Sequence, residues 1–169
     1  MFTVQVDLGV AAAVIQNGAV LLVKEATGSH VGLWGLPKGH VKQNEIPAHA
    51  VIRELYEECG LYGRVIGISG IRERRQSEES GLFVCYHVEV DNYELRIDPN
   101  EILEAAFVPR SRFSNLNWVS STMRAMALTS LASNPLLNIN DLTTDVEYPY
   151  IIHLNTSIDY FQRATYDSN

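Results

Sequence analysis

The stretch GHVKQNEIPAHAVIRELYEECGL, residues 39–61, constrains this chain more than any other. Pro47 suits a first helical turn, where a missing N–H costs nothing, and Gly60 suits the position just past a helix end. The spacing therefore predicts a helix over 47–59. With successive residues about 100° apart, Ala48, Val51, Ile52, Leu55 and Cys59 form one apolar stripe facing a core. Glu54, Glu57 and Glu58 fall on the adjacent stripe, with Glu45 just upstream and Arg53 four residues before Glu57. Like charges at this spacing cost an exposed helix a few tenths of a kcal/mol each. A solvated acidic face would oppose the apolar stripe, whereas these acids border it. Converging carboxylates are hard ligands suited to Mg²⁺ or Mn²⁺. Mg²⁺ prefers one or two protein carboxylates plus substrate phosphates and water. The cluster reads as a metal site.

A chain of 169 residues accommodates one well-buried domain. Its net charge of −7 argues against nucleic-acid polymers and acidic membranes as partners. A small phosphorylated substrate held by a few local cations stays open. Cys59 and Cys85 make neither metal-ligand spacing nor a disulfide framework. The first residues, MFTVQVDLGVAAAVI, lack the basic segment of a secretory leader, and their apolar run is too short to span a bilayer. The expectation is a cytoplasmic protein whose cysteines are buried and reduced. A two-fold homodimer is the default for a small enzyme.

Val6–Ile15 and Ala19–Glu25 are β-rich runs joined by Gln16-Asn17-Gly18, a hairpin signal. A glycine-spaced loop, residues 28–35, leads into Leu36-Pro37-Lys38-Gly39-His40. Arg64–Ile71 and Leu82–Val90 read as strands separated by a charged turn over 72–81, and 101–108 as one more. A helical pattern returns over 120–133 and stops at Asn134-Pro135. Residues 148–154 suit an edge strand, a packing arm or a dimer contact. The order suggests one α/β sandwich over 1–133 with a C-terminal extension, 134–169.

Gly39, Glu45, Arg53, Glu54, Leu55, Glu57, Glu58, Gly60 and Leu61 match every fixed position of G-x5-E-x7-R-E-U-x-E-E-x-G-U, with U aliphatic. In this the chain resembles the Nudix (MutT-like) hydrolase family. The resemblance implies an α/β/α sandwich with a mixed β-sheet, the box forming a loop–helix–loop. It implies hydrolysis of a nucleoside diphosphate linked to another moiety, assisted by Mg²⁺ or Mn²⁺. Carried over, Glu54, Glu57 and Glu58 would bind metal or activate water, and Arg53 would orient the catalytic glutamates. Glu45 would support the loop, Gly39 would let backbone approach the metal, and Gly60 would close the helix. Many members take a general base from a loop beyond the box; here Glu101 is preferred over Glu104, although an ordinary surface acid explains either equally well.

Weaker signals keep two readings each. Lys38 suits a phosphate contact or a solvated loop. Arg72, Arg74 and Arg75 suit a polyphosphate grip, or a charged hairpin tip balanced by Glu73, Glu78 and Glu79, which is slightly favoured. Trp34 suits packing better than base stacking, and His40 suits an approach to phosphate, although no second histidine stands at ligand spacing. Residues that mark family subgroups are missing: Gln76 stands where ADP-ribose pyrophosphatases resemble one another in a proline. Leu-Pro-Lys-Gly-His leans weakly toward dinucleoside polyphosphates. A nucleotide-sensing module on the same fold is the alternative to an enzyme, although a sensor has no need of every acid.

Overall fold

The computed structural model describes residues 6–76, 79–132, 137–141 and 151–154. Among these residues ten strands and two α-helices are arranged as two sheets between two helical layers. In chain order the strands are β1 (Val6–Ala13), β2 (Ile15–Gln16), β3 (Ala19–Glu25), β4 (Trp34–Gly35) and β5 (Lys38–His40). After helix α1 (Pro47–Cys59) come β6 (Gly63–Gln76), β7 (Glu79–Val90) and β8 (Ile102–Pro109). Helix α2 (Ser121–Ala132) precedes β9 (Leu137–Asp141) and β10 (Ile151–Leu154).

The larger sheet runs β10-β9-β6-β7-β1-β5, with β1 and β7 parallel and the other pairs antiparallel, so it is mixed. In the smaller sheet β3 pairs along its length with β8 and, at its other edge, with β2 and then β4. Alternate residues of β1 serve the two cores. Val10, Ala12 and Val14 join Val51, Leu55 and Cys59 of α1, while Ala11 and Ala13 join Met123, Met126 and Ala127 of α2. A strand buried on both faces has no polar alternation to show, which is why Val6–Ile15 reads as one apolar run.

Helix α1 has the expected bounds. Ala48, Val51, Leu55 and Cys59 are buried, and Ile52 packs against the same cluster. Gly60 takes the left-handed conformation (φ 68°), and its N–H donates to Tyr56 O at 2.8 Å. A side chain at Gly60 would be strained in that conformation and would press on Arg96.

Three expectations need correction. The Asn17-Gly18 hairpin forms, both residues at positive φ, but it joins β2 to β3 after the chain has left the larger sheet at Val14. The charged segment 72–81 is largely strand: residues 72–76 and 79–81 belong to the β6–β7 ladder, which continues to Gln76↔Glu79, so Arg72 and Arg74 sit on a strand. Charge disguised a ladder whose pairing is backbone-driven and whose alternate side chains can face solvent. The glycine-spaced loop and the segment after it yield strands β4 and β5, too short to show periodicity. Asn134-Pro135 and residues 148–150 lie outside the described residues. Residues 151–154 form an edge strand paired with β9, itself paired with β6. Cys59 and Cys85 are free and buried, as expected, and burial pushes both thiols up, Cys85 to about 12.

Leu55 is fully buried between α1 and the sheet. Leu55→Ala should cost about 2–5 kcal/mol of unfolding free energy, read from urea denaturation. A change within about 0.5 kcal/mol would contradict this packing.

Candidate active site

The short strand β5 is the edge of the larger sheet and leads into the loop before α1. Gly39 lies opposite Val10 on the face that packs against α1. A Cβ at Gly39 would overlap the Glu54 carboxylate, so glycine is required there because a side-chain carboxylate lies directly against the backbone.

Arg53 ties the site together. Its Nε and Nη2 donate to the two oxygens of Glu45, each at 2.8 Å. Its Nη1 donates to Glu54 at 2.5 Å and to Glu57 at 3.1 Å, and Nη2 also donates to the His40 carbonyl at 3.0 Å. All five guanidinium donors are used. Glu45 also accepts the Lys42 N–H at 2.9 Å, fixing the loop onto the helix. The Arg53 fork holds the Glu45 carboxyl at about 2, well below the ordinary carboxylate range, and Glu45 in turn raises Arg53.

Glu54 and Glu58 face the opposite pressure. Burial pushes Glu54 up against the pull of Arg53. Glu58, 6% exposed, accepts the Lys38 N–H at 3.0 Å, yet burial still lifts it to about 8. Glu57 is the open member of the set, its side chain 42% exposed and 3.6 Å from Lys42 Nζ. Two carboxylates under-compensated by the chain are what a divalent cation would relieve. Among the described residues no three acidic, His or Cys side chains close into a ready-made cage. Carboxylate oxygens are hard donors of the kind Mg²⁺ and Mn²⁺ accept.

The weaker candidates separate. Lys38 Nζ is ion-paired with Glu25 at the end of β3. Arg74 Nη2 pairs with Asp7 Oδ2 at 2.8 Å, and Asp7 Oδ1 lies 3.2 Å from His40 Nε2, linking the basic cluster to the box. The Arg72 guanidinium lies over Phe83, 5.0 Å from the ring centroid. Arg75 is on β6, its side chain outside the described residues. Trp34 is 8% exposed and packs in the α2-side core. Glu101 is exposed at the turn into β8, its carbonyl accepting the Ala26 N–H at 2.8 Å, and Glu104 lies opposite Lys24. Glu25 and Asp7 were not singled out by the sequence; each is a lone acid on a strand, placed by cross-sheet pairing that no local pattern reveals. A cavity of about 660 Å³ lined by Ala13, His87, Tyr93, Ser130 and Leu131 includes none of the box residues in its wall.

Fold and site together define an α/β domain with a carboxylate cluster at one sheet edge. The NUDIX domain model matches residues 7–127, and the chain belongs to the Nudix family. It is 30% identical over 118 residues to Nudix hydrolase 6 of Arabidopsis thaliana, covering 66% of this chain and 42% of that protein. The chain spans about two fifths of the length of the first two curated relatives it matches. Its fold is similar to that of a MutT NUDIX hydrolase from Burkholderia pseudomallei, with a TM-score of 0.63 and 23% identity, covering 74% of this chain and 98% of that one. A NUDIX hydrolase from Nitrosomonas europaea gives a TM-score of 0.66 at 20% identity, covering 76% and 90%. Among the described residues no helix is long and apolar enough to cross a membrane.

Two outcomes follow from this geometry. Gly39→Ala should displace the Glu54 carboxylate, lowering the kcat of any hydrolysis by about 10²-fold while leaving the urea midpoint nearly unchanged, since a flexible side-chain end yields first. Unaltered kcat would contradict the contact. The pKa of Glu45 is depressed in the fold, so its stabilisation is complete above about 4.5 and lost as the pH falls toward 2. Urea titrations should show Glu45→Gln clearly destabilised at pH 6, with the gap to wild type narrowing at pH 3. A gap independent of pH would refute the ion pair.

Proposed function

We propose that the chain is a metal-dependent pyrophosphohydrolase. It acts with Mg²⁺ or Mn²⁺ on a nucleoside diphosphate linked to another moiety, in the class of nucleoside triphosphates, nucleotide sugars and dinucleoside polyphosphates. The observation that most supports this is Arg53 with all five donors engaged, gathering Glu45, Glu54, Glu57 and the His40 carbonyl at one sheet edge. Folding alone gives no reason to crowd acids there.

Pyrophosphates are inert because their anionic oxygens repel nucleophiles; the ion, when bound, neutralises those oxygens and acidifies water. In this reading Glu54, Glu57 and Glu58 hold the ion. Arg53 positions Glu54 and Glu57, and Glu45 positions Arg53. Glu57, the open carboxylate, accepts the proton of the attacking water, with Glu101 a second candidate for that base. Lys38 orients Glu58 through its N–H. Residues 1–133 form the catalytic unit and 134–169 an extension. The substrate is a nucleotide-type small molecule met in the cytoplasm, where free buried thiols remain reduced.

The test is release of phosphate and mononucleotide from a panel of nucleoside triphosphates, ADP-ribose, NADH, nucleotide sugars and dinucleoside polyphosphates, with Mg²⁺, Mn²⁺ or chelator. Turnover of one class should require the ion, and Glu57→Gln should lower kcat by about 10²-fold or more with its urea midpoint retained. Full activity in the variant would contradict the site. Binding without turnover on either metal would make the chain a sensor.

A further inference from the structure

Register places four residues of four adjacent strands in one row across the larger sheet. His40 on β5 lies opposite Gly9 on β1, Gly9 opposite Phe83 on β7, and Phe83 opposite Arg72 on β6. The row is on the α2-facing side, since Phe83 packs with that core. Gly9 is a glycine because the Phe83 ring lies over it: a Cβ there would come within 2.6 Å of a ring carbon. Arg72 rests on Phe83 in turn, the guanidinium carbon 5.0 Å from the ring centroid.

The cations around this row differ in commitment. Lys38 is taken by Glu25, Arg53 by three glutamates and Arg74 by Asp7. Among the described residues Arg72 forms no ion pair and its buried Nε meets no acceptor. A buried donor left unpaired is costly, and a chain of net charge −7 has carboxylates to spare for it. The Nε edge of a guanidinium is one of its two-pronged forks for phosphate oxygens. Held on an aromatic ring, that fork loses little freedom on binding. Strand β5 is the sheet edge, with Glu54 against one face of it at Gly39 and the row beginning on the other face at His40. A substrate crossing that edge reaches both.

We propose that Arg72, seated on Phe83, is a specificity-determining residue that takes a phosphate of the substrate remote from the anhydride to be cleaved. The substrate class is thereby narrowed to molecules with a phosphate remote from the scissile pair. This rests on the pyrophosphohydrolase reading for the position of the anhydride.

The probes are NADH and NADPH, identical apart from one phosphate remote from the pyrophosphate, titrated calorimetrically against the full chain with Ca²⁺ present. Wild type should bind NADPH about 10-fold more tightly than NADH. Arg72→Gln should bring the ratio near one, Arg72→Lys should leave it intermediate, and Arg64→Gln, on an exposed ion pair elsewhere on β6, should retain the wild-type ratio. Equal affinities in wild type, binding of neither probe, or a preference that survives Arg72→Gln would overturn the proposal. Turnover with Mg²⁺ is read separately. An Arg72-dependent preference without cleavage of any panel substrate would sustain the phosphate contact of Arg72 and sink the hydrolase reading on which its distance from a scissile anhydride rests; cleavage without the preference would keep the hydrolase and overturn the contact.

Discussion

A guanidinium carries five N–H donors, and the structure depends on where Arg53 sends them. Four go to three carboxylates and the fifth to the His40 carbonyl, so one side chain sets the spacing of Glu45, Glu54 and Glu57 and fixes β5 to the helix that follows it. Without this cation the acids would repel one another along the C-terminal half of α1 and the loop before it, and the loop 41–46 would lose its tether. The bond from the Lys42 N–H to Glu45 belongs to the same network. Such an arrangement is rigid because each acceptor is held by a donor whose direction is set by the others.

The sheet explains why the carboxylates differ. Glu58 turns inward from the helix and is covered, so its charge is disfavoured, while Glu57 one residue earlier reaches water. Glu54 lies against Gly39, its side chain largely covered, and burial raises it against the pull of Arg53. One helical turn beside one sheet edge thus produces three environments for three identical side chains. On the proposed reading, a cation would relieve the buried Glu54 and Glu58 carboxylates, while Glu57 stays open to water.

Much of this was legible in the residues themselves. The bounds of α1, its buried stripe and its glycine stop follow from Pro47, Gly60 and the spacing of Ala48, Val51, Leu55 and Cys59, all local signals. The acids were legible because they bordered that stripe. What escaped was set by distant pairing. Strand β5 is three residues long and exists because Val10 and Gly39 pair across the sheet. The ladder through Arg72 and Arg74 looked like a turn because its side chains are charged, yet Phe83 and Asp7 supply partners for them. Glu25 and Asp7 carry no signal in their own neighbourhoods, since their partners come from other strands.

The central claim is that water attacks phosphorus at a carboxylate set ordered by Arg53. The most direct measurement is hydrolysis in H₂¹⁸O of the panel substrate cleaved fastest, with the products read by mass spectrometry for wild type and Arg53→Lys. One ¹⁸O should enter a phosphate-bearing product of wild type, and the variant, with a charge but no fork, should release label at least about 10²-fold more slowly. Unlabelled products from wild type, or labelling at the wild-type rate in Arg53→Lys, would contradict the account.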